Sequence, residues 1–245
     1  MRPAWIEVDL SAIRQNTRVF AELCAPGCGV CAVVKGNAYG HGAVEVARAA
    51  LEAGAQWLSV AMVQEAAELR AAGIEAPILI LGESAADEAE AIIEAGAAAE
   101  VSTVEVAKAL GDAGRRMGKA AEVHLKIDSG MGRQGARLED LPALLEALRE
   151  LPAVRVSGIF THFAVAESDE EFTRWQYQNF MRGVAMAEAV LGNIPVKHCC
   201  NTAAAVLYPE MHHDLIRPGA GIYGLNPGVT AERFPAVRRA LSLRA

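Results

Sequence analysis

The sequence predicts an α/β protein of the (β/α)8, TIM-type barrel class. Three observations carry that prediction. Eight short apolar runs, at residues 30–34, 57–60, 78–81, 98–101, 122–127, 154–160, 196–199 and 215–216, alternate with segments of helical spacing. These runs are short and largely apolar, as expected for parallel strands buried on both faces. Eight βα units of roughly 20–30 residues each fill the 245-residue chain, and a barrel of this class takes about 250. A doubly wound open sheet is the alternative. Against it, the glycine-rich stretch Lys35-Gly36-Asn37-Ala38-Tyr39-Gly40-His41-Gly42 is no G-x-G-x-x-G fingerprint, and no Walker A pattern occurs.

The elements follow in order. Residues 5–10 alternate in polarity and precede the barrel proper. Ser11 reads as the N-cap of a helix over 12–23. In 44–52, Val44, Ala47 and Leu51 share a helical face, and in 141–151 Leu141, Leu144, Leu145 and Leu148 do the same. Gly54, Gly73 and Gly96 stand where helices end and turn back toward the next strand. No Ser/Pro-rich linker, charge block or low-complexity tract interrupts the chain. The expected organisation is a leading strand in 1–10, one barrel over 11–240, and a new alternating run in 241–245.

Composition excludes several function classes. Lys and Arg number 23 against 30 Asp and Glu, a net charge of −7, which argues against a nucleic-acid surface. Apolar residues make up 52% and charged residues 22%, so wholesale disorder is excluded. The longest apolar runs, 76–81 and 95–99, fall far short of a membrane span. Residues 1–5 lead straight into Glu7 and Asp9 with no apolar segment, so no signal peptide is read and a cytoplasmic protein is expected.

Five cysteines, an odd number, argue against a disulfide framework. Cys24, Cys28 and Cys31, with His41, are close enough to suggest a metal clip, but zinc clusters come as two spaced pairs. Cys31 belongs to an apolar run and reads as a small buried hydrophobe. Cys199 and Cys200 read as half-buried at a strand end, His212 and His213 as surface-loop residues, and Trp175 and Tyr177 as packing residues. His41 reads as closing the glycine-rich loop through hydrogen bonds.

In a barrel of this class the chemistry sits at the C-terminal ends of the strands. Those ends carry Lys35, then Lys126 and Asp128 with Arg133 in the following loop, then Thr161 and His162, then His198, Asn201 and Thr202, then Arg217, Gly219 and Gly221. Lys35 rises from the apolar Ala32-Val33-Val34, and desolvation makes such an amine nucleophilic, as Schiff-base chemistry requires. Asn201-Thr202 opening a helix and Gly219-Ala220-Gly221 offer backbone amides to an anion. A Schiff-base lysine and a phosphate cradle in one site suggest pyridoxal 5′-phosphate.

The stretch from Ala32 to Gly42 resembles the cofactor-lysine motif of alanine racemases. Met131-Gly132-Arg133-Gln134-Gly135, Thr161-His162-Phe163-Ala164, the block from His198 to Ala204 and the block from Arg217 to Gly224 are similar to the later motifs of that family, in order. The resemblance implies roles. Lys35 would hold the cofactor and act as acid and base on one face of the substrate Cα. Tyr39, Thr202, Gly219 and Ala220 would hold the phosphate, with Asn201 and Tyr223 beside them. Arg217 would face the pyridine nitrogen, and His162 would orient Arg217. Arg133 would touch the cofactor's phenolic oxygen or the substrate carboxylate. Lys126 matches a position carbamylated in some members, and its plain alternative is an ion pair with Asp128. Gly36 stands where the family usually has Ala, and Thr202 where Ser often appears.

By the same resemblance the substrate is a small amino acid, with serine or a broader range left open beside alanine, and the reaction converts L-alanine to D-alanine for the cell wall; the charge balance and short apolar runs argue against nucleic acid and membrane as partners. Racemisation needs a base on each face of Cα. In the family the second is a tyrosine from a C-terminal β domain of the partner subunit in a homodimer, and residues 241–245 read as that domain's first strand. Two other readings compete: a stand-alone cofactor-binding barrel with a carrier or homeostasis role, and an aldolase using Lys35 without the cofactor.

Overall fold

The computed structural model describes residues 4–244. After β1 (Trp5–Val8), eight strands follow: β2 (Gly29–Val33), β3 (Trp57–Val60), β4 (Ile78–Glu83), β5 (Ala98–Val101), β6 (Ala121–Lys126), β7 (Val154–Phe160), β8 (Val196–His198) and β9 (Leu215–Ile216). Each pairs in parallel with the next from β2 to β8, and β9 pairs back onto β2 through Gly29↔Leu215 and Val30↔Ile216. The gap between β8 and β9 is bridged by Asp214 N donating to Lys197 O (3.0 Å) and Arg217 N donating to Cys200 O (2.9 Å). The ring closes, which rules out the open doubly wound sheet. Every expected barrel strand is present, with ends displaced by at most two residues.

Helices α1 (Leu10–Leu23), α2 (Ala43–Glu52), α3 (Val63–Ala71), α4 (Ala89–Glu94), α5 (Val104–Met117), α6 (Leu141–Arg149), α7 (Glu170–Leu191) and α8 (Thr202–Leu207) surround the ring. Leu141, Leu144, Leu145 and Leu148 are all buried, as their spacing predicts. On α2 the buried face is instead Ala43, Val46, Ala47, Ala49 and Ala50, while Val44 and Leu51 stay partly exposed. Small alanines let this helix lie close to its neighbours, so its apolar arc shifts away from the longer side chains. The cap of α1 also differs from expectation. Asp9, not Ser11, closes it, its carboxylate accepting from Ser11 N (2.8 Å) and Ala12 N (3.1 Å). The chain leaves β1 extended at Asp9, which aims a charged acceptor at the unsatisfied first-turn amides.

Several loop expectations are corrected. Cys199 and Cys200 are fully buried, both thiols donating to Met211 O. His212 is buried, its ring bridging Ala25 N and Ala205 O, and His213 meets the Tyr177 hydroxyl at 3.1 Å. In the loop after α8, His212 thus satisfies backbone groups and His213 a tyrosine hydroxyl. Trp175 is half exposed, whereas Tyr177 packs on the core. Among the described residues no group of three or more His, Cys, Asp or Glu is placed to hold a metal ion. His41 does close its loop, with Nδ1 beside Ala38 O and Tyr39 O.

Leu241–Arg244 forms β10, antiparallel to β1 with Trp5 opposite Arg244 and Val8 opposite Leu241. Met1–Pro3 and Ala245, which belong to the expected leading strand and closing run, lie outside the described residues. Among the described residues no helix is long and apolar enough to cross a membrane.

Candidate active site

The C-terminal ends of the barrel strands open into one cavity of about 450 Å³. Lys35, Tyr39, Lys126, Arg133, His162, Asn201, Thr202, Arg217, Gly219 and Ala220 line it, whereas Asp128, Thr161, His198, Gly221 and Tyr223, also singled out in the sequence, stand behind its wall.

Lys35 enters the cavity at the start of an unusual turn. Gly36, Asn37, Ala38 and Tyr39 all have φ between 51° and 63° with ψ between 37° and 47°, a full turn of left-handed helix. Side chains disfavour that conformation by about 1–2 kcal/mol per residue, so neighbours must hold it. Glu65 on α3 does so: one carboxylate oxygen accepts from Gly36 N and the other from Ala61 N. Asn37 Oδ1 accepts from Ala43 N at 2.8 Å and ties the turn to α2. Burial lowers the Lys35 amine below its ordinary range, and the Arg133 charge adds to the effect.

Arg217 follows β9 and is buried on the cavity floor, over the face of Phe160. Nη1 donates to His198 Nδ1 at 2.7 Å, and Nη2 donates to Thr161 O at 2.7 Å. His162, expected to orient Arg217, makes no hydrogen bond with it. It lies near enough for the Arg217, Arg133, Lys126 and Lys35 charges, added to burial, to push it down to about 3, so it is neutral. Arg217 is held by the histidine within β8 because β8 is the neighbour of β9 in the ring, whereas His162 stands beyond the end of β7.

The expected Lys126–Asp128 pair does not form. Asp128 accepts from Gly130 N and Gly132 N and shapes its own loop. Lys126 Nζ donates to Gln134 Oε1 (3.1 Å) and Leu81 O (3.3 Å) and faces Glu100 Oε2 at 3.9 Å. Glu100 is fully buried and neither oxygen has a hydrogen-bond partner. Burial raises its carboxyl and lowers the Lys126 amine.

At the opposite end, Asn201 caps α8 by accepting from Ala204 N, and Thr202 Oγ1 accepts from Gly219 N (3.0 Å) and Gly221 N (3.3 Å). A Cβ on Gly221 would fall 2.2 Å from the Phe20 ring, so only glycine lets the turn pack against α1. Tyr223 supports this end from behind: its hydroxyl donates to Val33 O (2.8 Å) and its ring meets Tyr39 edge-on at 5.2 Å.

With that geometry in place, comparison with known proteins is informative. The model of the alanine racemase N-terminal domain matches residues 8–227. The chain belongs to the alanine racemase family. It is 40% identical over its whole length to alanine racemase 1 of Oceanobacillus iheyensis and 44% identical over 93% of its length to the alanine racemase of Symbiobacterium thermophilum. It covers 65% and 60% of those two proteins, less than two thirds of their length. Among solved structures, an alanine racemase from Streptomyces lavendulae matches with TM-score 0.92 and 38% identity, covering all of this chain and 66% of that one. An alanine racemase from Clostridium difficile in complex with cycloserine matches with TM-score 0.93 and 34% identity, over 98% of this chain and 67% of that one.

Within this racemase-family barrel, sequence reading missed four contributors. Glu65, Glu100, His124 and the pairing of His198 with Arg217 all involve partners distant in sequence. Glu100 and His124 could have been noticed as polar residues inside otherwise apolar strands, a pattern that buried strands exclude without a paired partner.

Proposed function

We propose that this chain is the cofactor-binding barrel of an alanine racemase, interconverting L- and D-alanine with pyridoxal 5′-phosphate. The observation that carries this reading is a single cavity lined both by a desolvated lysine amine and by the turn of Thr202, Gly219 and Ala220. Its other charged lining side chains are Lys126, Arg133 and Arg217 against one carboxylate, Glu167. That donor set fits an anionic ligand bearing a carbonyl. When bound, the cofactor withdraws electrons from the substrate and acidifies the Cα hydrogen.

The chain's residues do the rest. Lys35 anchors the cofactor and exchanges a proton at one face of Cα, and the lowered affinity of its amine for a proton suits it to both tasks. Thr202, Gly219, Ala220 and Tyr39, with Asn201 capping the helix, form the phosphate end, and Tyr223 braces it. Arg217 faces the ring nitrogen. Arginine keeps its protons, so it donates a hydrogen bond without transferring one. Neutral His162 adds no charge beside it. Arg133 receives the substrate carboxylate. Lys126, donating to Gln134 Oε1 and Leu81 O beside Glu100, fills the position that is carbamylated in some members of the family.

Tyr39 lines the phosphate end, and Tyr177, Tyr208 and Tyr223 bond His213, Ala166 O and Val33 O. As the family resemblance implies, the base on the opposite face would come from a C-terminal β domain of the partner subunit in a homodimer, with residues 11–240 as the barrel and 241–245 as the approach to that domain. The test is chiral analysis of alanine after incubation with this chain and the cofactor. Slow L-to-D conversion is expected, lost in Lys35→Ala; conversion undiminished by that substitution contradicts the reading.

A further inference from the structure

Arg217, His198 and His124 form a line of hydrogen bonds running from the cavity into the barrel core. Arg217 Nη1 stands 2.7 Å from His198 Nδ1, and His198 Nε2 stands 2.9 Å from His124 Nδ1. Both imidazoles are fully buried, and His124 Nε2 has no hydrogen-bond partner among the described residues.

Donor rules fix where each proton sits. A guanidinium has only donors, so His198 Nδ1 accepts and carries no hydrogen. Neutral His198 then holds its proton on Nε2 and donates it to His124. That leaves His124 Nδ1 bare and its proton on Nε2. The order cannot reverse, because protonating His124 Nδ1 would put two donors face to face or demand an imidazolate. Burial agrees with neutral rings: it is the leading cause holding His124 down to about 3 and His198 well below its ordinary range, with Arg217 second for both.

The fold spends unusual features on this arrangement. The pairing of β6 with β7 shifts register between Val123 and His124. Opposite the ring is Gly158, where a Cβ would fall 2.5 Å from His124 Cε1 and Nδ1. Phe160 stacks on His198 with centroids 4.8 Å apart and planes 6° from parallel, and Trp57 lies tilted against His124 at 5.4 Å. The glycine opens the space, and the aromatic rings fix the two imidazole planes. A buried Nε2–H without an acceptor is costly, so its retention in the core calls for a return elsewhere.

We propose that His124 is a positioning residue for Arg217, acting through the hydrogen bond it accepts from His198. Arg217 fixes His198 Nδ1 as an acceptor, and His124 Nδ1 takes the remaining Nε2–H and holds the imidazole in the plane that aims the guanidinium into the cavity. Its consequence for racemisation rests on the function proposed above; the tautomers themselves do not.

The experiment is nitrogen-15 NMR of the full chain with labelled histidines at pH 7, without cofactor. Expected are His198 and His124 both bare at Nδ1 and protonated at Nε2. A proton on Nδ1 of either ring, or an imidazolium, overturns the proposal. Two variants extend it. His124→Asn keeps an oxygen acceptor near the position of Nδ1, whereas His124→Leu removes it. His198 Nε2–H should keep its hydrogen-bonded proton shift in the Asn variant and move upfield in the Leu variant, with Nδ1 bare in both. With alanine as substrate, kcat should fall about tenfold in His124→Leu with KM little changed and recover in His124→Asn, the size expected for one lost hydrogen bond. Equal effects of the two substitutions on the Nε2–H shift and on kcat overturn the positioning role. If the parent chain forms no adduct with the cofactor at Lys35, the function reading fails while the NMR result still decides the tautomer assignment.

Discussion

At the scale of single residues, burial sets the protonation state of the cavity. His124 and His162 are pushed down to about 3, and His198 lies well below its ordinary value of 6.5. In the unfolded chain all three titrate near that ordinary value. Between pH 6.5 and 3 the unfolded state therefore binds protons that the folded state refuses. The stability associated with these rings is intact above pH 6.5 and is lost as pH falls through that window, by at most about 1.4 kcal/mol per pH unit for each ring. Urea unfolding should show a lower midpoint at pH 5 than at pH 7, with a smaller difference in His124→Asn; an equal or larger difference in that variant contradicts it.

The same scale shows what sequence could and could not say about the site. Lys35, Arg133, Asn201, Thr202 and Arg217 were legible because polar residues after apolar runs mark strand ends, and in a barrel all such ends meet. Which histidine holds Arg217 was not legible. His162 and His198 both follow apolar runs, and only the closed ring places β8 against β9. Asp128 offered the nearer partner in sequence for Lys126, but Glu100 on the adjacent strand β5 is the one that faces it.

At the scale of elements, short and largely apolar runs located every barrel strand, because parallel strands covered on both faces leave little room for regular alternation. The left-handed turn after β2 escaped that reading. A single helical turn has no periodicity to detect, and its hand depends on Glu65, about thirty positions away, gripping two backbone amides. Glu65→Ala strands those amides and releases a disfavoured conformation. The expected loss is about 2–3 kcal/mol of unfolding free energy, in line with hydrogen bonds to a charged group, measured by denaturant titration. A loss below about 0.5 kcal/mol, the range of ordinary surface substitutions, would show that the turn holds itself.

At the scale of the whole molecule, ring closure brings Lys35, at the end of the first barrel strand, beside Gly219 and Ala220, which follow the last. Residues nearly two hundred positions apart in sequence thereby become two ends of one cavity. The central claim is that this cavity binds pyridoxal 5′-phosphate through Lys35. It is tested most directly by mixing the chain with the cofactor, reducing with borohydride, and mapping the adduct by peptide mass spectrometry. One stoichiometric adduct, on Lys35 and absent from Lys35→Ala, is the predicted result. No adduct, or one distributed over Lys126 and surface lysines such as Lys108 and Lys119, would contradict the account.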